Sequence, residues 1–143
     1  VQAWILDESP GTYRFGTIEE RPLGPEDVAV RPVASALNHM DLWLTRGRPR
    51  PTLPHVPGSD VAGEVAAVGS QVSGWRPGDE VVVNPAVAPL EAVVALGDDA
   101  PLGRGFQILG EQRWGGHAEL VVVPARNLVA KPANRTWEEC AAY

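Results

Sequence analysis

Apolar residues in this chain come in short runs, and glycine or proline closes nearly every one of them. Gln2–Asp7 (QAWILD) reads as a first strand. Ser9–Thr12 then turns the chain, and Tyr13–Glu20 alternates apolar with polar as a second strand. After the turn Arg21–Asp27, the β-branched run Val28–Leu37 predicts a long strand, with Pro32 marking an edge or a bulge. Asn38–Gly47 (NHMDLWLTRG) predicts a short helix or turn that Gly47 stops. Arg48–Gly58 holds four prolines and predicts an irregular loop. Asp60–Gly69 is a strand with a central glycine, Ser70–Glu80 a surface turn and Val81–Val83 a buried strand. Asn84–Gly105 is apolar without a clear strand or helical period. Gly115–Pro124 and Asn127–Pro132 restore the strand pattern, with His117 placed inside it. Thr136, three residues before Glu139, carries a capping-box signature that opens a helix. A helix of about two turns is marginal without packing, so the chain reads as a piece of something longer.

The pattern describes a sheet-rich domain with many turns, and the 15 glycines and 14 prolines agree with it. At 143 residues the chain suits one domain, long enough to bury a core without staples. A net charge of -6 offers no basic face for phosphates, so nucleic acid is excluded as a partner. No apolar run approaches the ~20 residues that cross a bilayer, and the first residues lack the pattern of a secretory signal. Cys140 is the single cysteine, which excludes an internal disulfide or a thiolate cluster within this chain. That usage fits a reducing, cytoplasmic location.

Candidate chemistry concentrates in two stretches, NHMD (Asn38–Asp41) and LPHVPGSDVAGEV (Leu53–Val65). With ALNHMDLWLTRG, GWRPGDEVVV and GGHAELVVVPARNLVAKP, they make four motifs in one order over nearly the whole chain. In that order the chain resembles the N-terminal, GroES-like domain of the medium-chain dehydrogenase/reductase family. The resemblance implies a mainly β fold, a partly open antiparallel barrel with short helices. It assigns residues 1–135 to a catalytic, substrate-side domain and 136–143 to the start of a helix leading to a Rossmann domain beyond this chain.

Zinc enzymes of that family bind a catalytic zinc through a cysteine and a GHE motif. Here the cysteine position is Asn38, and GHE reads Gly58-Ser59-Asp60. An amide and a hydroxyl are poor zinc ligands, which leaves Asp60 as the one credible donor. The family's relay hydroxyl is replaced by Met40. The four thiolates of a structural zinc lobe align with Pro89, Ala92, Ala95 and Gly103, so no zinc is expected there either. These departures resemble the zinc-independent quinone oxidoreductase branch, whose members pass a hydride from NADPH to a quinone or an electron-poor alkene. That implies a small carbonyl, quinone or enone acceptor and, as a family habit, a homodimer. By the same resemblance Asn38 donates a hydrogen bond to the acceptor oxygen, while Asp41 and Asp60 orient their neighbours. Ser59 and Trp43 line the substrate pocket, and His39 and Met40 lie toward the cofactor.

Each residue also has a plainer reading. Asn38 caps the helix after it. His39 is a surface histidine, His55 is structural or exposed, and His117 sits on a strand face. The tryptophans pack the core, and Cys140 is a small buried apolar residue. No G-x-G-x-x-G lies between a strand and a helix, so this chain alone is not expected to hold NADPH well. Two other functions stay open: an alcohol dehydrogenase with altered zinc ligands, and a standalone GroES-like module that docks a partner through Arg48–Gly58 or the apolar lobe.

Overall fold

The computed structural model describes residues 1–142. Its centre is a five-stranded antiparallel sheet of β3 (Asp27–Ala36), β4 (Asp60–Val68), β5 (Glu80–Val83), β8 (Val121–Pro124) and β9 (Leu128–Ala130), in the order β8-β3-β4-β5-β9. The sheet curls into a partly open half-barrel, the GroES-like architecture. Val28, Val30, Val61, Val65, Val81, Val83, Val121 and Val123 point to its inside with Leu109 and Leu128, forming the main core. Each fully buried valine contributes about 1.5–3 kcal/mol relative to exposure. Period-two alternation sends Ala34, Ala62 and Val82 to the other face, where α3 (Trp137–Ala141) lays Cys140 and Ala141 on them. Tertiary contact therefore stabilises the short helix, and Thr136 and Glu139 close its capping box. Pro32 falls where the β3–β4 register shifts, between Pro32 and Ala34.

A hairpin of β1 (Gln2–Leu6) and β2 (Tyr13–Thr17) lies across one end. Beyond β2, the β1 backbone reaches two loops: Leu6 exchanges hydrogen bonds with His55 at 2.8 and 2.9 Å, and the Trp4 N–H donates to the His117 carbonyl at 2.9 Å. This double docking brings the Leu53–Gly58 loop and the Gly115–Ala118 loop to α1 (His39–Thr45), whose Met40 and Leu44 pack on Leu6.

Three expectations need correction. His117 precedes β8 rather than lying in a strand, because regular pairing of that segment with β3 begins only at Val121. Trp4 and Trp43 are each 49% exposed and do not pack the core, whereas Trp75, Trp114 and Trp137 lie against buried clusters. Asn84–Gly105 has regular structure of its own: β6 (Ala86–Val87) pairs with β7 (Gln107–Ile108), and α2 (Leu90–Leu96) runs into a 3-10 turn at Gly97–Leu102. Buried Asn127 clasps the base of this lobe, donating to the Asn84 and Ala86 carbonyls, both at 2.8 Å. Ala92 and Gly103 pack on one another there, and a Cβ on Gly103 would lie 3.0 Å from that of Ala92.

His55 is structural, at 1% exposure, with its Nε2 N–H donating to the Gly110 carbonyl at 2.8 Å. Burial pushes its pKa below the ordinary imidazole value and outweighs the opposite pull of Gly110. The unfolded chain takes up this proton below about pH 6.5 and the fold resists it, so stability is full above that pH and falls as the pH drops toward the folded value. The denaturation midpoint is expected to decline between about pH 7 and pH 5. His55→Gln, which keeps a donor near Gly110, should flatten the decline; a variant profile parallel to the parent's would refute the assignment.

Candidate active site

Asn38 ends the extended run of β3 and caps α1 with φ −123° and ψ 160°. Its backbone N–H donates to Asp41 Oδ2 at 2.7 Å, the acidic half of a capping box. Asp41 Oδ1 accepts from the Gly58 N–H at 3.2 Å, so one carboxylate ties α1 to the Pro57–Gly58 turn. Asp41 is 3% exposed, and His117 Nε2 lies 3.6 Å from its Oδ2. Burial alone would raise the Asp41 pKa. The His117 imidazole and the amides of Asn38 and Gly58 more than reverse this and hold the group below the usual carboxylate value.

Tyr13 straps the hairpin to the same point, its hydroxyl donating to the Asp41 backbone carbonyl at 2.7 Å. Burial first, and then the Asp41 charge, push the phenol pKa up to about 12, so Tyr13 remains a neutral donor.

Asn38, Ser59 and Asp60 converge above this buried base. The Asn38 amide nitrogen donates to Asp60 Oδ2 at 3.2 Å, and the Ser59 hydroxyl donates to the same oxygen. The second Asn38 N–H has no partner among the described residues and is available to a ligand. A cavity of about 240 Å³ opens beside it, lined by Leu37, Asn38, His39, Asp41 and Leu42. Exposed His39 lies beside Trp43, with ring centroids 6.1 Å apart. Met40 turns inward onto Leu6 and Leu44 and does not line the cavity.

The structure thus joins Asn38 to Ser59 and Asp60, and Asn38 to Asp41, but leaves His39 and Trp43 at the rim. Sequence reasoning missed His117, Tyr13 and the Gly58 amide, all partners of Asp41. Their spacing carries no signal, because long-range docking alone brings them together.

The residue set does not suit zinc. Among the described residues no group of three or more His, Cys, Asp or Glu side chains is gathered to hold an ion. Asn38, Ser59 and Asp60 offer an amide, a hydroxyl and one carboxylate, and the first two donate to the third. The Asn38 amide, held by the Asp60 carboxylate, presents one N–H donor to the oxygen of a bound ligand.

Residues 24–133 match the family model of the alcohol dehydrogenase GroES-like domain. The chain is 36% identical to the crotonyl-CoA reductase of Streptomyces collinus, over 84% of its own length and 31% of that protein's. A solved NAD-dependent alcohol dehydrogenase superposes with a TM-score of 0.91 at 41% identity, covering 100% of this chain and 43% of the other. The 2-octenoyl-CoA carboxylase reductase CinF, solved with NADP and 2-octenoyl-CoA, superposes with a TM-score of 0.88 at 31% identity, covering 99% of this chain and 39% of the other. The chain therefore spans well under half the length of the relatives it matches.

Proposed function

Because this chain belongs to the alcohol dehydrogenase GroES-like domain family, within the medium-chain dehydrogenases/reductases, we propose that it is the acceptor-side domain of a zinc-independent NAD(P)H-dependent reductase of enones, enoyl thioesters or quinones. One observation carries the zinc-independent part. Asn38, Ser59 and Asp60 bond to one another where zinc-type relatives place metal ligands. The similarity to proteins that act on crotonyl-CoA and bind 2-octenoyl-CoA supports an electron-poor alkene as acceptor. Such an acceptor is already electrophilic, so no Lewis acid is required.

The nicotinamide, when bound, supplies the hydride. This chain's residues act on the acceptor. The free N–H of Asn38 receives the acceptor oxygen as charge builds on it. Asp60 fixes the amide plane, and Ser59 holds Asp60 in turn. Asp41 anchors both backbone ends of the site. Trp43 stands at the rim, and His39 extends from it toward the cofactor phosphates. Met40 fixes α1 from beneath.

The test is NADPH-dependent reduction of enones, enoyl thioesters and quinones by the full-length protein, with and without chelator. Turnover should survive chelation, and Asn38→Ala should lower kcat/KM by about a hundredfold. Loss of activity on chelation would instead favour a zinc alcohol dehydrogenase with altered ligands. No turnover of any of the three acceptor classes would refute the proposal.

A further inference from the structure

On the other side of Asp41 lies a second constellation. Along β3 and its next residue, alternation places Val33, Ser35 and Leu37 on an exposed face, opposite the Ala34 that packs under α3. The β3–β8 pairing ends at Val30, so this face is open to the hairpin and to the Gly115–Ala118 loop. A groove of about 580 Å³ results. Trp4, Phe15, Val33, Leu37 and Pro57 wall it, and Ser35 and His117 lie within it. Trp4 and Phe15 tilt together at 5.5 Å between centroids while remaining 49% and 62% exposed.

The surroundings of His117 fix its tautomer. Nε2 is fully buried without a hydrogen-bond partner, and Asp41 Oδ2 lies 3.6 Å away. A lone pair on Nε2 would face a carboxylate, so the proton resides there. Nδ1 then carries the lone pair, and the Ser35 hydroxyl donates to it at 3.0 Å. An exposed hydroxyl on an unprotonated imidazole nitrogen, with a buried carboxylate at the far nitrogen, is the order of groups in an activated serine.

We propose that Ser35, His117 and Asp41 form a nucleophile–base–carboxylate relay that makes Ser35 an acceptor of acyl groups from small, neutral, apolar esters and thioesters bound in this groove. Ser35 Oγ attacks the acyl carbonyl carbon as its proton passes to His117 Nδ1. The carbon–oxygen or carbon–sulfur bond to the leaving group breaks, and that group departs with the proton from Nδ1. Water, deprotonated by the same nitrogen, then releases the carboxylic acid and restores Ser35. The sum is ester plus water to acid plus alcohol or thiol, without an external oxidant or reductant. Asp41 acts as a positioning residue through His117. Apolar walls, with Glu119 at the rim, favour a neutral acyl donor over an anionic one.

The experiment treats the full-length protein with p-nitrophenyl acetate and p-nitrophenyl butyrate, without NAD(P)H, and follows nitrophenolate release and the intact mass. A burst of one equivalent is expected, with one acyl group mapped to Ser35. Ser35→Ala should abolish the burst and leave reduction of the enone unchanged. Ser35→Cys should restore acylation. His117→Gln should slow acylation by about 10²- to 10⁴-fold. Absence of an adduct, an adduct at another residue, or labelling of His117→Gln at the parental rate would overturn the proposal. Because the assay contains no nicotinamide, its failure is separate from failure of the reductase reading.

Discussion

Asp41→Ala is expected to lower the unfolding free energy by about 2–5 kcal/mol, the cost of leaving two backbone amides without the carboxylate they donate to. The side chain is 3% exposed and answers three groups: the Asn38 N–H at 2.7 Å, the Gly58 N–H at 3.2 Å and the His117 imidazole at 3.6 Å. Alanine leaves both amides without their acceptor, and each buried unsatisfied group costs about 1–3 kcal/mol. Asp41→Asn keeps an acceptor oxygen but no charge, and should fall between parent and alanine. The sign of the pH effect follows from the depressed folded pKa. The carboxylate contributes its stability above the unfolded value of 3.8, and that contribution is lost as the pH falls through the folded value. Acid unfolding of Asp41→Asn should therefore lack this component. Urea denaturation of the three proteins at neutral and acidic pH decides the matter; an alanine variant within about 1 kcal/mol of the parent would mean that water replaces Asp41 at little cost.

Gly58→Ala should be of similar size, about 3–5 kcal/mol, from two causes that add. Gly58 has φ +104°, a region that strains any side-chain-bearing residue by about 1–3 kcal/mol. A Cβ there would also lie 2.7 Å from the His117 backbone nitrogen and 2.8 Å from its ring, where nothing can yield cheaply. The crossing is close from the other side too, since a Cβ on Gly115 would come within 2.2 Å of the Gly58 carbonyl oxygen. The alanine variant is thus expected to displace His117 from Asp41 as well as to destabilise the fold. The measurement is the urea midpoint together with the ¹⁵N shifts of the His117 ring. Unchanged ring shifts in a folded variant would show that the Gly115–Ala118 loop is held independently of Gly58.

Much of the β framework was legible locally. Strand periods, the Pro32 irregularity, the Pro77-Gly78 turn and the Thr136–Glu139 capping box are written within a few neighbouring residues, and local backbone preference reads them directly. The lobe was not legible, because α2 exposes Leu90, Val94 and Leu96 and so lacks an amphipathic period. Trp4 and Trp43 misled for a related reason: aromatic side chains signal burial on average, yet here they line a groove and a rim.

The candidate site divides in the same way. By itself the sequence determined the chemistry on offer, namely an amide, a hydroxyl and a carboxylate at Asn38, Ser59 and Asp60. It also determined the turn and strand order that carries them. Only the tertiary structure decided which groups meet. His117 reaches Asp41 because the N-terminal hairpin docks two distant loops against α1. Local propensity encodes no such contact, since it arises from backbone hydrogen bonds and burial across the whole fold.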